Sequence, residues 1–125
     1  MNATALAKSA YGNPDQPIRT PRDTEYEAFA RITHRLKMAS TRAEEDFPGL
    51  VRAVHDNREL WSVLAADIAL PENGLPIELR QRLTYLAEFT RQQSRKVLSR
   101  QGTADILIEI NTAIMRGLRQ ESAAA

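Results

Sequence analysis

Few residues in this chain are spaced for chemistry. His34 and His55 stand alone, with no second His at ligand spacing, and the chain holds no cysteine. Zinc sites and thiolate nucleophiles are therefore not expected, and both histidines read as surface or boundary residues. The acidic run Glu44-Glu45-Asp46 lacks the oxygen-donor spacing of a calcium loop and reads as a solvated helix end. No G-x-S-x-G elbow presents a serine, and the glycines form no phosphate-cradling loop. With no acid–base or nucleophilic set in view, the chain reads as a non-enzyme that needs no metal or other cofactor.

What remains is the chemistry of recognition. Arg91, Arg95, Lys96 and Arg100 fall at spacings of four and five, which could present cations to an RNA backbone. No aromatic side chain interleaves with them as a stacking platform. Positive charge matched to a helix C-terminus is the better account of the run. Trp61 is either a core residue or a partner's anchor, since Trp is enriched in both. Asn111 projects into an apolar arc. A buried Asn without partners costs about 1–3 kcal/mol, so it is expected to bond a neighbouring loop backbone or to fix a partner's register.

The elements that must position these residues centre on Asn57–Arg80. Leu60, Trp61, Leu64 and Ile68 share one helical arc. Leu70-Pro71-Glu72-Asn73-Gly74-Leu75-Pro76 stops that helix: Gly74 and Asn73 tolerate a left-handed backbone, and the prolines forbid continuation. Before it, Asn2–Tyr11 reads as a short helix docked through Leu6 and Tyr11, and Gly12–Pro17 as a loop. Thr20-Pro21 opens the next helix as cap and first residue, with the seam Phe29, Ile32, Leu36, Ala39, Ala43. Pro48–Leu70 reads as two helices, with His55-Asp56-Asn57 as the cap of the second and Glu59 completing a capping box. Pro76–Arg100 carries the rhythm Leu79, Leu83, Leu86, Thr90, Gln93, Val97, closed by Gly102. Its polar turn at Thr90 and Gln93 suggests departure from the core or a polar partner.

Thr103 caps the last helix, Ala104 to about Gln120, and Ser122–Ala125 should fray. Leu107, Ile110, Ile114 and Leu118 form its centre, Ile106, Ala113 and Gly117 one flank, Ile108 and Met115 the other. That arc is wider than the roughly 100° a surface helix buries, so the helix either lies deep between neighbours or keeps part of its surface for a helix-in-groove contact with a partner. The candidate contact residues are Trp61, Leu64, Ile68, Ile108 and Met115. The fold class is all-α: an irregular bundle of five to six helices with short loops, one domain over residues 1–125, with 1–19 a weakly held helix and loop.

Composition agrees with this class. An apolar share of 42% supports one core in a chain of 125 residues. A formal charge of +1, from 17 basic and 16 acidic residues, gives no global attraction to nucleic acid or an acidic membrane. No apolar run approaches the ~20 residues of a membrane span, and the opening MNATALAKSAYGNP lacks the pattern of a Sec leader, so a cytoplasmic location is expected.

Four segments in order resemble the flagellar biosynthesis regulator FlaF family of alphaproteobacteria. They are Ala10-Tyr11 followed by Thr20–Glu25, then Asn57–Leu64, then Asn73–Arg80, and finally Leu107–Leu118. The resemblance covers nearly the whole chain. It implies a factor for flagellin production and export: a chaperone that binds flagellin and acts with the translational regulator FlbT. The alternative it leaves is an RNA-binding regulator of flagellin mRNA, acting directly or with FlbT. The family supplies no residue-level binding motif, so the contact residues above rest on the helical pattern.

Overall fold

The computed structural model describes residues 21–124, with side chains over residues 25–118. Its helices are α1 (Pro21–Thr41), α2 (Phe47–Ile68), α3 (Ile77–Leu98) and α4 (Asp105–Ala124). The connections 42–46, 69–76 and 99–104 are short, which makes successive helices antiparallel neighbours. α1 packs on α2 and α4, α2 packs on α3, and α3 meets α4 only slightly. The bundle is a square with one loose edge. The expected helix at Asn2–Tyr11, the loop Gly12–Pro17 and the Thr20 cap lie outside the described residues.

The all-α class agrees with the sequence reading, but the count of five to six helices is corrected to four among the described residues. The difference within the described residues arises at Pro48–Leu70, where one unbroken helix replaces two. Asp46 is its N-cap and accepts from the Gly49 N–H at 3.0 Å. Pro48 sits in the first turn, where a missing N–H breaks no helical bond. The residues read as a second cap lie inside α2 and spend their polarity sideways. Asp56 faces Arg35 of α1 at 3.8 Å, His55 faces Glu59 at 3.7 Å, and Asn57 is fully buried. At the other end of the chain, α4 continues through Ala124, beyond the expected end near Gln120.

The elbow after α2 forms where the residues dictate. Gly74 takes φ +84°, and the Asn73 Oδ1 accepts from the Leu75 N–H at 3.2 Å. The carbonyls of Ile68 and Leu70, at and just past the end of α2, find a partner that the sequence did not announce. Arg80 Nε donates to Ile68 O at 2.9 Å, and its Nη2 donates to Leu70 O at 3.1 Å. A guanidinium thus completes the helix end that lacks intrahelical donors. Arg80→Ala should lower stability by about 1.5–2 kcal/mol by orphaning both carbonyls, measured by urea unfolding.

α3 closes two residues before the glycine expected to stop it. Arg100, not Gly102, takes the left-handed position at φ +62°. The Gln101 N–H donates to Lys96 O at 2.8 Å and the Arg100 N–H to Val97 O at 3.0 Å, the paired bonds of a Schellman end. A side chain there costs about 1–2 kcal/mol relative to right-handed backbone. The Arg100 guanidinium lies 4.1 Å from the Phe47 ring centroid, a cation–π contact that offsets part of that cost.

The core is layered. Leu36, Val54, Val97 and Leu107, one from each helix, form an apolar layer with essentially no exposure. One turn away the layer is polar. Thr33 lies between Phe29, whose ring meets Trp61 edge-on at 5.7 Å, and Leu36, which shares the cluster with Val54. That register sets Thr33 of α1 against Asn57 of α2. The same reasoning sets Ser94 of α3 beside Asn57, because Val54 and Val97 share the cluster and Trp61 and Thr90 line one cleft. Asn111 completes the layer from α4.

Candidate partner-binding surface

The polar layer is knitted diagonally across the bundle. Trp61 Nε1 donates to Asn111 Oδ1 at 2.9 Å, and Asn111 Nδ2 donates to Asn57 Oδ1 at 2.7 Å. All three are buried, so these bonds tie α2 to α4 through the centre. Asn111 was expected to find loop backbone; it finds two side chains instead. α3 contributes no such tie. Ser94 Oγ donates back to Thr90 O of its own helix at 2.7 Å, and Thr90 Oγ1 is buried with no hydrogen-bond partner.

The predicted contact residues do not form one exposed patch. Trp61 and Ile68 are each 2% exposed. Leu64, Ile108 and Met115 are half-buried, and Ile108 packs against the apolar cluster. The arc of α4 divides similarly: Ala104, Leu107 and Asn111 are buried, whereas Ile106, Ile110, Ile114 and Leu118 are half-buried, and Ala113 and Gly117 exposed.

The most exposed large apolar side chains lie on α3: Ile77 is 64% exposed and Tyr85 68%, against 51% for Met38 of α1 and 36% for Val51 of α2. At about 100° per residue, Thr90, Ser94 and Val97 mark the inward face, and Thr84, Ala87 and Arg91 line a cleft with α2. The opposite flank, turned toward α4 and solvent, carries half-buried Leu86 and Phe89 with Tyr85 beside them. The same projection on antiparallel α4 turns Ile106, Ile110 and Ile114 toward that flank. This is the loose edge of the square. The signal for it in the sequence was Tyr85 and Phe89, one turn apart beside the Leu79–Leu86 seam.

The cleft between α2 and α3 measures ≈ 220 Å³ and runs past Arg58, Trp61, Ala65, Ala87 and Thr90. At its rim, Arg91 grips Glu88 through Nη2–Oε1 at 2.6 Å and Nε–Oε2 at 3.1 Å. The hydrogen bonds from Arg91 and then Gln92 hold the Glu88 carboxyl below the ordinary value. The sign follows: the ionised pair favours the folded helix above the unfolded-state pKa of Glu, and that contribution disappears as pH falls through the lowered folded value. Because both groups are solvent-exposed, salt screens the effect. An NMR titration should place the Glu88 midpoint below that of a Glu in unfolded peptide, and Arg91→Gln should return it upward.

The basic run is partly committed to the fold. Arg91 holds Glu88 and Arg100 covers Phe47, while Arg95 and Lys96 are exposed. Among the described residues, no group of three or more His, Asp or Glu is placed to hold a metal ion. No described helix is long and apolar enough to cross a membrane.

A family model described as flagellar protein FlaF matches residues 7–118. No curated protein and no solved structure matches the chain.

Proposed function

Given that the chain belongs to the FlaF family of flagellar proteins, we propose that it is a non-enzymatic flagellar biogenesis factor that binds flagellin in the cytoplasm. It acts as a secretion chaperone and regulates flagellin synthesis, with the translational regulator FlbT as a further partner. The observation that carries the reading is the apolar flank of α3: Tyr85, Leu86 and Phe89 beside Ile110 and Ile114 of α4, where two helices barely meet. An amphipathic helix of flagellin seated there would complete the square's loose edge, and its apolar face would be shielded from premature assembly. Direct RNA binding has less support, since two of its four proposed cations already hold protein groups.

Gel filtration of the chain with its cognate flagellin tests this. The two should co-elute at micromolar concentration. Tyr85→Asp with Phe89→Asp should weaken the complex at least about tenfold, because each places a charge where apolar area would be desolvated. Circular dichroism should be unchanged. Separate elution of the unaltered proteins would remove the reading.

A further inference from the structure

α3 is held to the bundle differently from its neighbours. Its buried side chains are Thr90, Ser94 and Val97, two hydroxyls and one apolar residue, all in its C-terminal half. From Ile77 to Phe89 no side chain is fully buried. Neither buried hydroxyl bonds another helix: one bonds its own backbone, and the other has no partner. The diagonal Trp61–Asn111–Asn57 chain ties α2 to α4 without α3. Two side chains tie α3 to its surroundings through three hydrogen bonds: the Arg80 guanidinium to the Ile68 and Leu70 carbonyls, and Gln93 Nε2 to Thr103 O at 3.4 Å. α3 meets α4 only slightly.

We propose that the N-terminal part of α3, residues 77–94, is a lid latched by Arg80 and hinged near Val97. Raised, it uncovers a floor on α2 and α4 built from Trp61 and Ile68 with the Asn57–Asn111 amides at its centre. The register reasoning that places Thr90 against Trp61 places Leu83 against Ile68. The occupant that fits is read from what the lid itself presents: a partner's amphipathic helix with leucine-sized residues about a turn apart and hydroxyl-bearing residues at i, i+4, as in Leu83, Leu86, Thr90 and Ser94. Asn57 Nδ2, buried and unpartnered on the floor, marks where such a helix gains a hydrogen bond that the closed lid does not make. The lid swings from the loose α3–α4 edge, so the partner enters there, with Tyr85, Leu86 and Phe89 on the lid's side of the opening and Ile110 and Ile114 of α4 at the border of the floor. This deepens the flagellin-binding reading and rests on it for the partner alone. The opening itself is a property of the free chain.

Hydrogen-exchange mass spectrometry on the full chain reads the opening. Amides of 80–94 should exchange together, at least about tenfold faster than those at 54–61 and 107–114, through sub-global opening rather than unfolding. Arg80→Ala should widen the gap. Exchange of α3 at the same rate as α2 and α4 would overturn the lid. The chain has no cysteine, so Ala65→Cys with Ala87→Cys, which line the cleft from α2 and α3, can be bridged by a short bis-maleimide. Bridging should slow α3 exchange to that of α2 and weaken flagellin binding at least tenfold relative to the unbridged double variant. Equal binding by both forms would overturn the lid's role and leave flagellin binding standing. Binding by neither form would remove the flagellin reading, and the exchange of the free chain would still decide the lid.

Discussion

Asn111→Ala should lower the unfolding free energy by about 3 kcal/mol. The substitution removes the acceptor of Trp61 Nε1 and the donor to Asn57 Oδ1, both inside the bundle. A buried polar group deprived of its partner costs about 1–3 kcal/mol, and two are orphaned at once. Asn57 suffers most, since its Nδ2 already has no partner. Against the total of roughly 5–15 kcal/mol of an ordinary domain, the loss is large. Asn57→Leu combined with Asn111→Leu should recover about half the deficit, because only Trp61 Nε1 is then left without a partner. A double-mutant cycle in urea should therefore show strong coupling between positions 57 and 111.

Leu107→Ala should cost about 3–4 kcal/mol, whereas Met115→Ala on the same helix should cost only about 1 kcal/mol. Leu107 is 0% exposed within the Leu36–Val54–Val97 layer, so its removal leaves a hole walled by three other helices. Met115 is half-buried, so water and neighbouring chains can fill what is lost. Similar costs at the two sites would mean that the layered core is misdrawn.

How much of this was legible in the sequence can be argued residue by residue. The elbow at Pro71–Pro76 was, because proline and a left-handed glycine act through the backbone alone. The seam Phe29–Leu36 and the core position of Leu107 were, because helical periodicity marks an inward face whatever lies opposite. The division of Pro48–Leu70 was misread for a physical reason. Asp and Asn signal a cap only when their side chains have no better partner, and Asn57 has Asn111 from 54 positions away. Long-range pairing of that kind leaves no local trace. Arg100 as the left-handed residue was hidden similarly, since what it gains lies on Phe47 across the bundle end.

The surface reading divides along the same line. The width of the α4 arc was visible, but how three neighbours share it was not. Trp61 and Ile68 were singled out as contact candidates from their helical spacing, and the fold encloses both. The most exposed large apolar side chains, Ile77 and Tyr85, belong to α3, whose Tyr85 looks like an ordinary surface residue until the slight α3–α4 contact is known.

The claim that the loose α3–α4 edge receives a flagellin helix is tested most directly by calorimetric titration of the cognate flagellin into this chain and into its Tyr85→Asp/Phe89→Asp variant. The account predicts saturable binding with Kd near or below about 1 µM, roughly −8 kcal/mol, with affinity falling at least tenfold in the variant. Equal affinity in both proteins would place the contact elsewhere on the bundle, and no heat of binding at any temperature tried would contradict flagellin recognition altogether.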